Sequence, residues 1–140
     1  MNILRWFIAG AVTGLLKIAT GFLFHGAVFG AAYDDPTRLA VWRAYPAQMT
    51  HMALLSVAAG LLLALSFWFV RRTLPGPPAL KGLLFGSILW AGSALALTLS
   101  FILWVNMPAA AAWAWLLDSL VWLPLAGTLI GLIFGKSTAR

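Results

Sequence analysis

Apolar residues along this chain gather into four long stretches, at about 6–30, 47–70, 82–105 and 109–134. Each is at or above the ~20 residues that an α-helix needs to cross a ~30 Å hydrocarbon layer. The breaks between them are sharp. After the first stretch, AAYDDPTRLAVWRAYP gathers Asp34, Asp35, Pro36, Arg38, Arg43 and Pro46, which are turn formers and charges unsuited to hydrocarbon, with room for a short interfacial helix from Thr37 to Ala44. Arg71, Arg72 and the following TLPGPPAL end the second stretch, and Asn106, Met107 and Pro108 end the third. Short connections make successive helices antiparallel. The pattern predicts an all-α fold, a single domain over residues 1–140 built as an integral membrane four-helix bundle.

Composition supports that class. Hydrophobic residues make up 63% of the chain, charged residues only 9%, and the mean hydropathy is +0.97, far from the balance of soluble domains. Four spans leave little of the chain for a soluble module. The partner implied first is the lipid bilayer. A cleaved signal peptide is the competing interpretation of the amino-terminal stretch, but the apolar region is too long for one and contains Lys17.

Charge placement sets an orientation. Arg5, Arg71, Arg72, Lys81, Lys136 and Arg140 all fall on the side shared by both termini and the second loop, with no acidic residue among them. By the positive-inside rule that side is cytoplasmic, which makes this an inner-membrane protein with both termini inside. The net charge of +6 is thus a topology signal and an attraction to anionic lipid, with no nucleic-acid role assigned.

Against this apolar background two residues stand out. Lys17 lies inside the first stretch and Asp118 inside the last. Counted from opposite membrane faces, each is about 15–16 Å deep at 1.5 Å per residue, so the two share the midplane and meet if the first and fourth helices touch. On the helix carrying Lys17, the residues Gly10, Thr13, Gly14, Thr20 and Gly21 share its face and permit close approach and hydrogen bonding. Trp115 and Trp122 sit at i−3 and i+4 from Asp118, placed to donate indole N–H groups to its carboxylate. Pro124 removes a backbone bond to the Leu120 carbonyl and is expected to kink the helix there. Three roles remain open for the pair: a structural ion pair fixing register, a lysine that snorkels to the cytoplasmic face, or a pair that changes partner or protonation during transport.

A second constellation falls toward the outer surface. His25 and His51 are expected at similar depth, Met49 and Met52 flank His51, and Met107 lies in the outer third loop. Imidazole with thioether suits Cu(I), and two histidines on facing helices also suit axial ligation of haem. Neither spacing is diagnostic, and the first expectation is no cofactor, with copper or haem as the alternatives. GxxxG patterns at Gly10–Gly14, Gly26–Gly30, Gly82–Gly86 and Gly127–Gly131–Gly135 favour tight helix packing, within the chain or between copies as a homo-oligomer. Of the eight tryptophans, Trp6, Trp42, Trp68 and Trp104 are placed as interface anchors. Glutamate, cysteine, HExxH and GxSxG are all missing, so hydrolase and zinc-protease chemistry lack their parts and no enzyme is expected.

The amino-terminal MN, the glycine-rich helix ending in FLFHGAVFG, the third-span GLLFGSILWAG and the fourth-span AWLLDSLVWLPLAGTLIGLIFG together resemble a family of small bacterial four-span membrane proteins of unknown function. The resemblance implies a fold and a membrane location but no activity. Asp118 matches that family's last-span aspartate followed by aromatic and small residues, whereas Lys17 is not part of the pattern. Two functions follow from the residues: a structural or accessory subunit of a membrane complex, or a small proton- or cation-coupled transporter or channel using Asp118.

Overall fold

A computed structural model describes residues 2–33, 49–104 and 109–135 of the chain. The proposed interfacial helix, the charges and Trp42 of the first loop, Met107 with the rest of the third loop, and Lys136 and Arg140 lie outside the described residues. Among the described residues all the regular structure is helical, with no strand, and four helices are long and apolar enough to cross a membrane.

The first span is α1 (Ile3–Gly21) continued by a π-helical segment, π1 (Phe22–Val28), and a single 3₁₀ turn (Gly30–Tyr33). Asn2 caps α1 by accepting from the Arg5 amide at 3.3 Å, which starts the helix three residues ahead of the apolar run. The second span is α2 (Met49–Val70). The third is α3 (Pro78–Leu89), a second π-helical segment π2 (Trp90–Ala94) and α4 (Leu95–Trp104). Pro78 at the first helical position needs no amide partner and has its backbone angle preset, so this helix begins in the proline-rich turn and Lys81 falls inside its first turn. The fourth span, α5 (Ala109–Gly135), continues through Pro124.

The bundle is assembled from two glycine-sealed hairpins. In the first, Gly10 and Gly14 of α1 lie against the backbone of Val57 and Leu61, and Gly60 of α2 lies against the Gly10 carbonyl. In the second, Gly82 and Gly86 of α3 lie on the backbone of Gly127, Leu123 and Pro124, and Gly131 lies on Pro78. At all of these positions a Cβ would collide with backbone atoms, so the glycines are what let the helices touch main chain to main chain. The pattern at Gly26 and Gly30 does not act this way, because a Cβ at either would meet only atoms of its own turn.

α5 is the hub, packing against α1, α2, α3 and α4. α2 and α3 meet near the turn that joins them, where Phe67 and Phe85 pack edge-on at 5.4 Å. Phe67, Phe85, Ala126, Ile130 and Phe134 form the core of that end. At the opposite end α4 is bare, with Leu103 and Trp104 at 80% and 87% exposure. The hydroxyls on such exposed helix faces bond within their own helix: Ser56, Ser93 and Ser100 each donate to the carbonyl four residues earlier. That satisfies the hydroxyl without water, the condition that hydrocarbon imposes.

Candidate functional site

The two hairpins are joined along α1 and α5, and there the contact is polar. Lys17 Nζ forms an ion pair with Asp118 Oδ2. The α1–α5 contact brings the two residues together at one level. Asp118 is 2% exposed, while the Lys17 side chain is 30% exposed. The carboxylate is therefore the sealed member of the pair, and the ammonium reaches it from a more open position.

A third group joins them. His25 Nε2 lies 3.4 Å from the same Oδ2. Straight α-helical counting puts His25 about 12 Å beyond Lys17 and aligns it with His51 instead. Two features bring the ring back. Side chains tilt toward the amino terminus of their helix, which aims His25 toward Lys17. The intervening residues form π1, whose hydrogen bonds close to i−5, as in the 2.9 Å bond from the Phe29 amide to the Phe24 carbonyl, and whose wider turns reorient the ring toward α5. The segment packs on α1 and α5. A π-helical segment has no simple hydrophobic period, so His25 was legible only as an outer-surface residue.

Around this centre the other expected residues take specific places. Thr13, fully buried, donates its hydroxyl to the Ala9 carbonyl at 2.8 Å. Thr20 donates to the Lys17 carbonyl at 3.3 Å and has its hydroxyl beside the carboxylate. Trp122 does not serve Asp118: its indole Nε1 donates to the Thr13 carbonyl at 3.0 Å, a second stitch between α1 and α5, and its ring lies 5.5 Å from the Lys17 ammonium in a cation–π contact. One α-helical turn from Asp118, the indole tip is carried across the helix gap to a backbone acceptor rather than back along its own helix. Trp115 packs edge-on against Phe101 at 5.4 Å. Pro124 contributes close packing against Gly86, and its carbonyl accepts from Thr128 at 2.8 Å.

Beside the pair is a cavity of about 310 Å³ between the first, third and fourth spans. Lys17, His25, Thr98, Asp118 and Ser119 line it. Asp118 Oδ1 is buried and accepts no hydrogen bond, although a carboxylate has about four acceptor sites. Thr98 and Ser119 were not singled out by sequence; the only signal was that each is a hydroxyl inside an otherwise apolar run. Chemically, one sealed carboxylate shared between an ammonium and an imidazole makes a closed charge pair with a second base at hand.

Of the soft-ligand set, the side chains described are those of His25, His51 and Met52. His51 is exposed on α2, Met52 is half exposed, and the His25 ring is directed at Asp118. No three side chains of His, Cys, Asp or Glu converge as a metal site among the described residues, and Met107 lies outside them.

Compared with known protein families, with curated proteins and with solved structures, the chain matches none.

Proposed function

We propose that this is a multi-pass protein of the inner membrane, with both termini cytoplasmic, acting as a structural or accessory membrane subunit. In this role the Lys17–Asp118 pair clamps two preformed hairpins into one unit. The observation that carries it is the division of contacts. Within each hairpin, glycines bring backbones together, whereas the two hairpins share an apolar core toward one end and are tied deep in the bundle by polar contacts, Lys17 to Asp118 and Trp122 to the Thr13 carbonyl. A charge pair at mid-depth has few alternative partners in hydrocarbon, so it fixes which helix faces which and at what height. Among the described residues a Cβ at Gly26 or Gly30 would meet only atoms of its own segment, and such a face suits a second copy or another subunit.

A second reading has its own support. His25 competes with Lys17 for one carboxylate oxygen beside a cavity that also holds two hydroxyls. That is the arrangement of a proton- or cation-handling centre, with Asp118 as the exchanging group and Lys17 as its resident counter-ion. The two readings part in liposomes reconstituted with wild type and with Lys17→Met/Asp118→Leu. The clamp predicts no proton or cation flux in either preparation. Flux in wild type that the folded double variant loses establishes the transport reading instead.

A further inference from the structure

A separate cavity of about 380 Å³ lies at the other end of the bundle, where α2 ends, the 71–77 turn passes, α3 begins and α5 finishes. Arg71, Arg72 and Lys81 line it. The only carboxylate among the described residues is that of Asp118, already paired in the other cavity, so these three cations converge with no acidic side chain among the lining residues.

Their geometry is organised. The Arg71 guanidinium sits over the rings of Phe134 and Trp68, at 5.6 and 5.9 Å, cation–π contacts that consume none of its N–H donors and leave them for another acceptor. Lys81 spends one N–H on the Arg71 carbonyl at 3.1 Å, fixing the ammonium against the turn with two N–H groups left over. Gly76 has a φ of +89°, a conformation that other residues rarely adopt, and this lets the turn fold back so that Arg71 and Lys81 face one space. The same space adjoins the amino-terminal end of α3, a 12-residue helix whose cap residue Pro77 supplies no side-chain acceptor. The positive end of that helix adds to the field of the three side chains.

We propose that this cavity binds a phosphate oxyanion, the headgroup phosphate of an anionic phospholipid or that of a small soluble phosphate ester. A planar guanidinium with its N–H edge free and a fixed ammonium match the several oxygens of one phosphate. On the membrane reading the site lies at the cytoplasmic headgroup level, where anionic lipid is the abundant source of that group. The soluble source does not depend on that reading.

The test is retention of phosphatidylglycerol against phosphatidylcholine by the purified full-length protein, measured by native mass spectrometry, with glycerol 3-phosphate added in a separate arm. Arg71→Gln, Arg72→Gln and Lys81→Gln are each compared with Arg5→Gln, a basic residue outside the cavity. Lys81→Arg serves as the charge-preserving control, and circular dichroism checks that each variant is folded. Each cavity variant is expected to weaken phosphatidylglycerol retention about fivefold, with Arg5→Gln and Lys81→Arg near wild type. Displacement of the lipid by millimolar glycerol 3-phosphate assigns the site to the soluble ester. Equal retention of the two lipids with no binding of the ester, or equal losses in Arg5→Gln and the cavity variants, overturns the proposal. Should the glutamine variants unfold, stronger retention of phosphatidylglycerol than of phosphatidylcholine by both wild type and Lys81→Arg still supports it, and equal retention of the two lipids by both proteins refutes it.

Discussion

Removing one member of the Lys17–Asp118 pair should not cost the same as removing the other. Lys17→Met leaves a carboxylate that is 2% exposed without its ammonium. Breaking a buried pair in this way typically costs about 3–5 kcal/mol. His25, 3.4 Å from the same oxygen, offsets part of that, which places the expected loss near the lower end. Asp118→Leu leaves instead an ammonium on a flexible stem whose side chain is already 30% exposed at a cavity, free to snorkel away from the helix contact. Its cost should be about half as large, roughly 1–2 kcal/mol. Replacing both by apolar residues removes the penalty of an orphaned charge, so Lys17→Met/Asp118→Leu should lie within about 1 kcal/mol of wild type or above it. The cycle then shows a coupling of at least about 2 kcal/mol. Reversible unfolding in mixed micelles, followed by the fluorescence of the eight tryptophans and by circular dichroism, measures all four proteins. Additive single costs would falsify the pairing, and an Asp118→Leu loss as large as that of Lys17→Met would refute the argument from unequal burial.

Two further predictions follow from packing and charge placement. Gly127→Leu puts a side chain into the Gly82 carbonyl and should destabilise the second hairpin by about 3 kcal/mol or more, whereas Gly21→Ala, with open space at its Cβ position, should be neutral or gain up to about 1 kcal/mol; unfolding midpoints in the same micelles compare them. The chain has no cysteine, so Thr73→Cys in the exposed turn and Asp35→Cys in the first loop are unique labels: in intact cells an impermeant maleimide should modify Cys at 35 and reach 73 only after the membrane is opened, and the reverse pattern would overturn the inside assignment of the termini.

The spans were legible because hydrocarbon allows so few solutions: a backbone with no water to bond must be helical, and its length is fixed by the bilayer. Counting inward from the span ends also brought Lys17 and Asp118 to one level, since the rise of an α-helix is constant. The buried face of α1 was readable for the same reason, and Gly10, Thr13, Gly14 and Thr20 are buried as their spacing implies. The failures come where that regularity stops. π1 changes the angular position of His25, so a residue placed with His51 by α-helical counting ends beside Asp118. Trp122 has the correct spacing to reach Asp118, yet a carbonyl of the neighbouring helix offers its N–H a linear acceptor, and only the relative placement of two helices reveals that. The same limit hid the role of the glycines. Four GxxxG patterns look alike in sequence, but Gly82 and Gly127 close a hairpin while Gly26 and Gly30, among the described residues, have only atoms of their own segment at the Cβ position.

The clamp and the proton-handling centre differ in one physical respect, which is whether Asp118 Oδ2 keeps its partner. Glycine contacts of backbone on backbone have no second arrangement nearby, because any rotation of α3 against α5 drives the Gly82 and Gly86 carbonyl neighbours into side-chain volume. Each hairpin is therefore expected to behave as a rigid unit. The seam between them is different in kind. Lys17 of α1 and His25 of π1 address the same oxygen, and Asp118 Oδ1 accepts no hydrogen bond. A rearrangement of this protein is thus cheapest as a small shift of the first hairpin along α5, exchanging lysine for imidazole at Oδ2 while the glycine contacts stay closed. Trp122 opposes that shift by holding the Thr13 carbonyl, one turn of α1 before Lys17, and so sets how firmly the seam is locked.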